Sequence, residues 1–477
     1  MNVRVLFGIL GAAAALVPMF VMRDFTVDDA LISIRYAHHL ATGLGYRFNV
    51  TDVPTDGVTP LPWALLLAPL ARGDAQSTLV YAKILGAVAW TLASTLLGVA
   101  VARVVIAERA ASHVRFVLAG GSLVVVGLAF PIGAWAVSGM ETGLTTAIAT
   151  TAAVAASARR ATIATILAGV AAAFRPELVV WALALAIGIE VALAVSTSRD
   201  LHERSIALGK GVLRAASIAS APFVACALVR IVAFGHPAPL ALLAKPSDLS
   251  HGVAYAAAAA VVVLTPMLVL LRVRFARAPI ARTLLVALLV HLLVVIAVGG
   301  DWMPYARLMV PVAPSLVIAF VADLAHSSVL VGSLRVVVAC GVGVVLAVKT
   351  APAGLHVGTD RAALIARARP VLASSEVVAA LDIGWVSAAT DASIVDLAGL
   401  TDPRIAVLPG GHTSKRVSTA MLLDRGVDTF VAYSSPRLVE LRVIDSDLFA
   451  SHFVRVAEIP VRGAAYTIYR LERVYQP

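Results

Sequence analysis

Long apolar runs separated by short polar loops occupy the first 350 residues, and that alternation sets the first expectation. A spanning helix needs roughly 20 apolar residues. Runs on that scale lie near 4–22, 78–102, 116–131, 141–157, 161–174, 177–196, 208–234, 254–272, 281–299, 306–325 and 331–349. The pattern predicts a polytopic α-helical membrane protein with about 11 transmembrane helices. The first run, LFGILGAAAALVPMFVM, has no small-x-small cleavage site after Met22, so it reads as a retained span. "FRPE" interrupts 161–174 and 177–196, which leaves that pair as a spanning hairpin or a re-entrant one.

Two stretches break the alternation. The segment 23–77, the first extracytoplasmic loop in this reading, is too long for a simple connection. Within it, Asp28 to Thr42 carries an apolar stripe of Ala30, Ile34, Ala37 and Ala41 and predicts a short helix ended by Gly43 and Gly45. Pro60 to Ala71 is apolar but too short to cross, and Trp63 suits an interfacial position there. After residue 350 the texture changes. "VVAALDIGWVS" and "DTFVAYS" predict strands, "SKRVSTAMLLDRG" a helix closed by Gly426, and the segment from Phe453 a terminal hairpin. The expected organisation is a transmembrane module over 1–350 and a small extracytoplasmic α/β domain over 351–477.

Composition agrees, with 60% hydrophobic and 14% charged residues. The net charge of +10 does not signal nucleic acid: residues 351–477 hold 13 Lys/Arg and 13 Asp/Glu, so the excess belongs to the membrane part. There it sets orientation. With the N-terminus cytoplasmic, the inner loops hold Arg103, Arg109, Arg115, Arg159, Arg160, Arg199, Arg204, Lys210, Arg214, Arg272, Arg274, Arg277, Arg282 and Arg335, and the outer ones few cations. Eleven spans from a cytoplasmic N-terminus put the C-terminal domain outside the cytoplasm. Cys226 and Cys340 lie in apolar runs and indicate neither a disulfide framework nor a metal site.

Every outer loop carries ionisable residues: Asp28 and Asp29, Glu141 in "SGMETG", Arg175 and Glu177 in "FRPE", Lys245 in "AKPSD", Asp301, Trp302 and Arg307 in "GGDWMPYAR". Such groups are costly at membrane depth, so they face a cavity or one another. A polar cavity beside lipid suits an enzyme that joins a lipid-linked anionic donor to a polar acceptor. A carboxylate can take the proton of an attacking hydroxyl, and Lys or Arg can stabilise a leaving phosphate. Adjacent on a helix, Asp28 and Asp29 point about 100° apart, so one would do proton chemistry while the other orients, pairs with a cation or binds an ion. Helix capping is the structural alternative, because Thr26 and Asp29 have capping-box spacing. His38 and His39 read as interfacial surface, since no further His or Cys group completes a metal spacing.

"DDALISIRYAHHLATGLGYRFN" resembles the DDA-(I/S)-RYA-LA-G-G-FN signature of a family of GT-C membrane glycosyltransferases, best known from the terminal arabinofuranosyltransferases of the mycobacterial and corynebacterial cell wall. Five more segments follow in order: "DGVTPLPW", "WAVSGMETGL", "FRPEL", "GGDWMPYARLMVPVAP" and "VDLAGLTDPRIA". The resemblance implies a GT-C fold that takes a polyprenyl-phosphate-sugar donor on the outer membrane face and transfers the sugar to a cell-envelope glycan acceptor. It implies an essential Asp at the position of Asp28 or Asp29. Arg307 and Lys245 are expected to hold the donor phosphate. Arg35, Tyr36, Trp63, Glu141, Arg175, Glu177, Asp301 and Trp302 are expected around the substrate cavity, with Trp302 offering a flat face to a sugar ring. No cofactor is expected, although two adjacent aspartates could take a divalent ion. The partners are the lipid-linked donor, the glycan and membrane lipids, and not nucleic acid. Leu178 stands where the family has Gly, and "GHPAPLALLAKPSD" retains little of the family's LPNTFYAK beyond Ala244 and Lys245, which leaves the sugar open. The alternative function is a non-enzymatic lipid-linked-sugar flippase, which predicts polar groups on half-helices at mid-membrane.

Overall fold

The computed structural model describes residues 2–107, 112–197, 201–270, 278–324 and 328–472, so Arg109, Arg199, Arg272, Arg274 and Arg277 lie outside the described residues. Among the described residues, seven helices are long and apolar enough to cross a membrane: Val3–Val21, Ala75–Ala107, Pro176–Val195, Ser205–Phe234, Leu249–Leu270, Pro279–Ala297 and the apolar start of Val329–Leu372. His113–Leu128 and Phe130–Ala136, bent by 57°, make an eighth if they form one span. Pro131 sits in the first turn of the second of these helices, and a proline disfavours a continuous helix through the residue before it. The protein is a multi-pass membrane protein.

The count falls short of 11 because three expected spans form shorter helices. Thr142–Ser157 has 16 residues and Ala161–Phe174 has 14, which at about 1.5 Å per residue gives roughly 24 and 21 Å against a hydrocarbon core of about 30 Å. Ala313–Leu324 is also a short apolar helix.

The chain divides into two compact units. The first comprises Met1–Phe25, Ala82–Cys226 and Ser247–Leu355, and the second Thr26–Tyr81, Ala227–Pro246 and His356–Pro477. One division falls after Leu355, and 26–81 and 227–246 belong with the C-terminal residues and not with the bundle.

In the first unit, small residues bring helix backbones together. A Cβ at Gly98 would lie 2.0 Å from the Phe7 carbonyl oxygen, and the Ser94 hydroxyl donates to Gly11 O at 2.7 Å. These contacts pack Val3–Val21 on Ala75–Ala107.

The second unit is built on a five-stranded mixed sheet with β1 Val377–Ala380, β2 Ser393–Asp396, β3 Thr429–Tyr433, β4 Phe453–Val461 and β5 Ala464–Leu471 in the order β2-β1-β3-β5-β4. β1 runs parallel to β2 and β3, while β5 runs antiparallel to β3 and β4. "DTFVAYS" and the terminal hairpin form as expected. "VVAALDIGWVS" is a strand only to Ala380, and Ile383–Ala389 is a helix. Asp28–Ala41 is helical, with Gly43 and Gly45 at φ 79° and 85° ending it as expected. Leu61–Leu70 is too short to span, and Trp63 is fully buried rather than exposed at an interface.

The edge of β2 is occupied. The Asn49 side-chain amide donates to Ile394 O and its carbonyl accepts from Ile394 N, both at 2.9 Å. One side chain thereby satisfies an edge residue as a neighbouring strand would.

Candidate functional site

Each unit gathers part of the expected polar set. In the first unit, Arg175 ends the Ala161–Phe174 helix and is 5% exposed. Its Nη1 donates to Glu141 Oε1 at 2.7 Å and its Nε to Glu177 Oε1 at 2.6 Å. Asp301 also acts on it electrostatically. Three loops far apart in sequence, "SGMETG", "FRPE" and "GGDWMPYAR", therefore share one ionic network. Glu141 is fully buried, and its Oε2 has no hydrogen-bond partner among the described residues.

The Asp301 loop reaches that network by an unusual backbone path. Gly299, Gly300, Tyr305 and Ala306 have φ values of 88°, 71°, 57° and 51°. For Tyr and Ala that region costs about 1–3 kcal/mol each and persists only where surroundings impose it. A Cβ at Gly300 would lie 2.6 Å from Tyr255 Cβ, so the turn also needs glycine for space. Within the loop, Arg307 Nε donates to Asp301 Oδ2 at 2.8 Å, and its guanidinium lies 5.6 Å from the Trp135 ring centroid. Trp302 is 61% exposed and stacks on His251, with centroids 4.1 Å apart and planes 14° apart. The His251 ring nitrogen Nδ1 bonds the Gly299 carbonyl at 2.7 Å, which holds the stack in place. The result is an exposed aromatic face beside a buried charge network.

In the second unit the two aspartates differ. Val27 is the N-cap of Asp28–Ala41 and makes no side-chain cap bond. Asp28 instead accepts from Arg361 Nη1 at 2.5 Å, Gly384 N at 2.7 Å and Trp385 N at 2.9 Å. A Cβ at Gly384 would lie 2.1 Å from the Asp28 carbonyl oxygen, so only glycine allows this approach. Beside it, Asp382 accepts from Arg437 at 2.9 Å and from the Tyr466 hydroxyl at 2.7 Å. Asp29, half-buried one residue on, has no hydrogen bond or ion pair to its carboxylate among the described residues.

Burial pushes the Asp28 carboxyl up from 3.8 to about 6; Arg361 and the Gly384 amide oppose the shift, and Asp382 and Asp29 add to it. Between pH 3.8 and 6 the folded state keeps a proton that the unfolded chain has released. The stabilisation is full below 3.8 and lost as pH rises through 6, by an amount on the order of 2–3 kcal/mol. Thermal midpoints of the full chain in detergent should show it. Wild type loses stability relative to Asp28→Asn between pH 4 and 6, and the difference is flat above 7. A pH-independent difference would show that Asp28 does not titrate in this window.

The other expected site residues of this unit bind backbone or pack. Arg35 Nε donates to Phe48 O at 2.8 Å, Nη1 to Ser387 O and Thr390 O at 3.2 Å each, and Nη2 to Ala392 O at 3.0 Å. It also touches a cavity of about 370 Å³. The buried Tyr36 hydroxyl pairs with Thr55 Oγ1 at 2.9 Å and accepts from Gly57 N at 3.2 Å. Gly57 approaches Leu400 and Thr401 so closely that a Cβ would lie 2.6 Å from Thr401 Cγ2. "DDALISIRYA", "DGVTP" and "DLAGLTDP" thus meet as one packed core. Lys245 ends the Leu240–Ala244 helix, and its ammonium has no partner among the described residues. His38 and His39 bond the Ala71 and Arg47 carbonyls at 2.8 and 2.9 Å.

Sequence reading missed Arg230, Arg361, Asp382 and His251. Arg230 was signalled: a lone cation in an apolar run needs a partner. It ion-pairs with the buried Asp56 and donates to Thr59 O at 2.7 Å. The other three carry no local pattern.

Fold and side-chain networks together define a multi-pass membrane protein with a mixed-sheet domain. Residues 358–469, which include all five strands almost to the end of β5, match a family model described as a domain of unknown function, DUF8728. No curated protein and no solved structure matches the chain.

Proposed function

We propose that the protein is a membrane glycosyltransferase of the GT-C type that moves a sugar from a polyprenyl-phosphate donor to a cell-envelope glycan. The observation that carries this reading is the inequality of the acid pair. Asp28 is held by three donors, and that anchor fixes the helix turn from which the unpaired Asp29 projects. An unpaired carboxylate on a rigid turn has the properties of a general base for a sugar hydroxyl. Lys245 is the phosphate cation of the same unit. In the other unit, Arg307 is the cation of the network and Trp302 on His251 is a platform on which a sugar ring can stack. The six ordered segments that resemble the arabinofuranosyltransferase family support the donor class, and arabinofuranose is the first sugar to try. The arginine bias supports an orientation with the sheet domain outside the cytoplasm, and the resemblance supports a bacterial cytoplasmic membrane.

The test is the full chain in proteoliposomes with labelled polyprenyl-phosphate-arabinofuranose and a cell-wall arabinan fragment. Labelled product should form only with both substrates present. Movement of label across the bilayer without glycan product would instead identify a flippase.

A further inference from the structure

The first unit has a second feature, at the other end of its helices from the ionic network. Val179–Thr197 and Pro279–Ala297 pack closely where Gly188 meets Thr283, and a Cβ at Gly188 would lie 2.6 Å from Thr283 Cγ2. Beside that contact lies a groove of about 490 Å³ lined by Ala184, Val191, Val195 and Val286, with Arg282 at one end. A second cavity of about 280 Å³ shares Ala192, Pro279 and Thr283 with it and includes Arg159. Among the described residues, neither is lined by an acidic one. Glu177 and Val195 are 18 positions apart on one helical run, roughly 27 Å, so the groove mouth and the network lie at opposite membrane faces.

Three observations identify the occupant. The walls are aliphatic and belong to helices apolar enough to span a bilayer, so an acyl chain can lie along them. Arg159 and Arg282 are exposed and have no partner among the described residues. Thr283 is 7% exposed and lines both cavities, and its hydroxyl has no hydrogen-bond partner among the described residues. An apolar channel, a buried hydroxyl and two cations match, in that order, the chain, ester and phosphate of a glycerophospholipid.

We propose that this paired cavity binds one anionic phospholipid of the surrounding membrane, with its headgroup on Arg159 and Arg282 and its glycerol ester at Thr283. The arginine bias puts this site in the cytoplasmic leaflet, away from the network at which the sugar chemistry is proposed. It stands whether or not the protein transfers sugar.

The test is native mass spectrometry of the full chain released from nanodiscs holding equal phosphatidylglycerol and phosphatidylcholine. Phosphatidylglycerol should be the retained adduct. Each of Arg159→Gln and Arg282→Gln should lower its retention about fivefold, the effect of one cation near an anionic surface. Arg282→Lys should keep most of it, and Ala192→Phe, which fills the groove, should remove it without changing surface charge. Thermal midpoints in the same detergent identify any variant that fails to fold, and Thr283→Val then supplies an isosteric replacement expected to lower retention. Equal retention of the two lipids, or unchanged retention in the folded glutamine variants, would overturn the proposal. So would displacement of phosphatidylglycerol by polyprenyl phosphate at equal concentration.

Discussion

Arg175→Met destabilises the membrane-embedded unit by about 3–5 kcal/mol. The size follows from what remains. Glu141 has no exposure and Glu177's side chain is 12% exposed, so both carboxylates lose their common cation where water cannot replace it. Arg175 serves both through different nitrogens, a division that a single ammonium cannot reproduce in the same geometry, so Arg175→Lys recovers only part of the loss. Glu141→Gln combined with Arg175→Met should be more stable than Arg175→Met alone, because the burden is the stranded charge and not the missing bond. Thermal midpoints and the monodisperse yield in detergent report all three. A midpoint for Arg175→Met within a few degrees of wild type would mean that solvent or lipid headgroups reach the network.

The same residue shows why this part of the site was legible. Two arginines and three carboxylates in otherwise apolar loops have to meet, because isolated charges beside lipid are too costly. That reasoning needs no geometry, and the Glu141–Arg175–Glu177 network and the Asp301–Arg307 pair follow it. What it cannot supply is the division of the chain. Segment 23–77 reads as a loop of the membrane module because it lies between two apolar runs. It folds instead with the C-terminal sheet, through Asn49 on Ile394, Arg35 on three carbonyls of 387–392 and Asp28 on Gly384. Those bonds join residues more than 340 positions apart and leave no periodic trace. The span count fails for a related reason. Hydropathy measures how apolar a run is, and a helix such as Ala161–Phe174 is apolar enough but too short.

The motif that resembles the glycosyltransferase signature gains a physical meaning from this packing. Arg35 and Asn49 bond residues of 387–394, and Tyr36 bonds Thr55 and Gly57, so all three help hold the segment to the sheet. Asp29 is left over from that structural demand, and it gives the sharpest test of function. Asp29→Asn should lower sugar transfer by roughly 10²–10⁴-fold, the usual range for losing a general base. Its thermal midpoint should match wild type, since its carboxylate has no partner among the described residues to lose. Asp28→Asn should do the reverse in kind. It puts an amide among three donors, lowers the midpoint, and reduces activity only as far as the Asp28–Ala41 helix start loosens. Arg361→Ala should behave like Asp28→Asn, because it breaks the same anchor from the other side. Activity measured on folded protein separates the two aspartates even though they are neighbours. Full transfer by folded Asp29→Asn would remove it as the base, and loss of transfer in Asp28→Asn with an unchanged midpoint would give the role to Asp28.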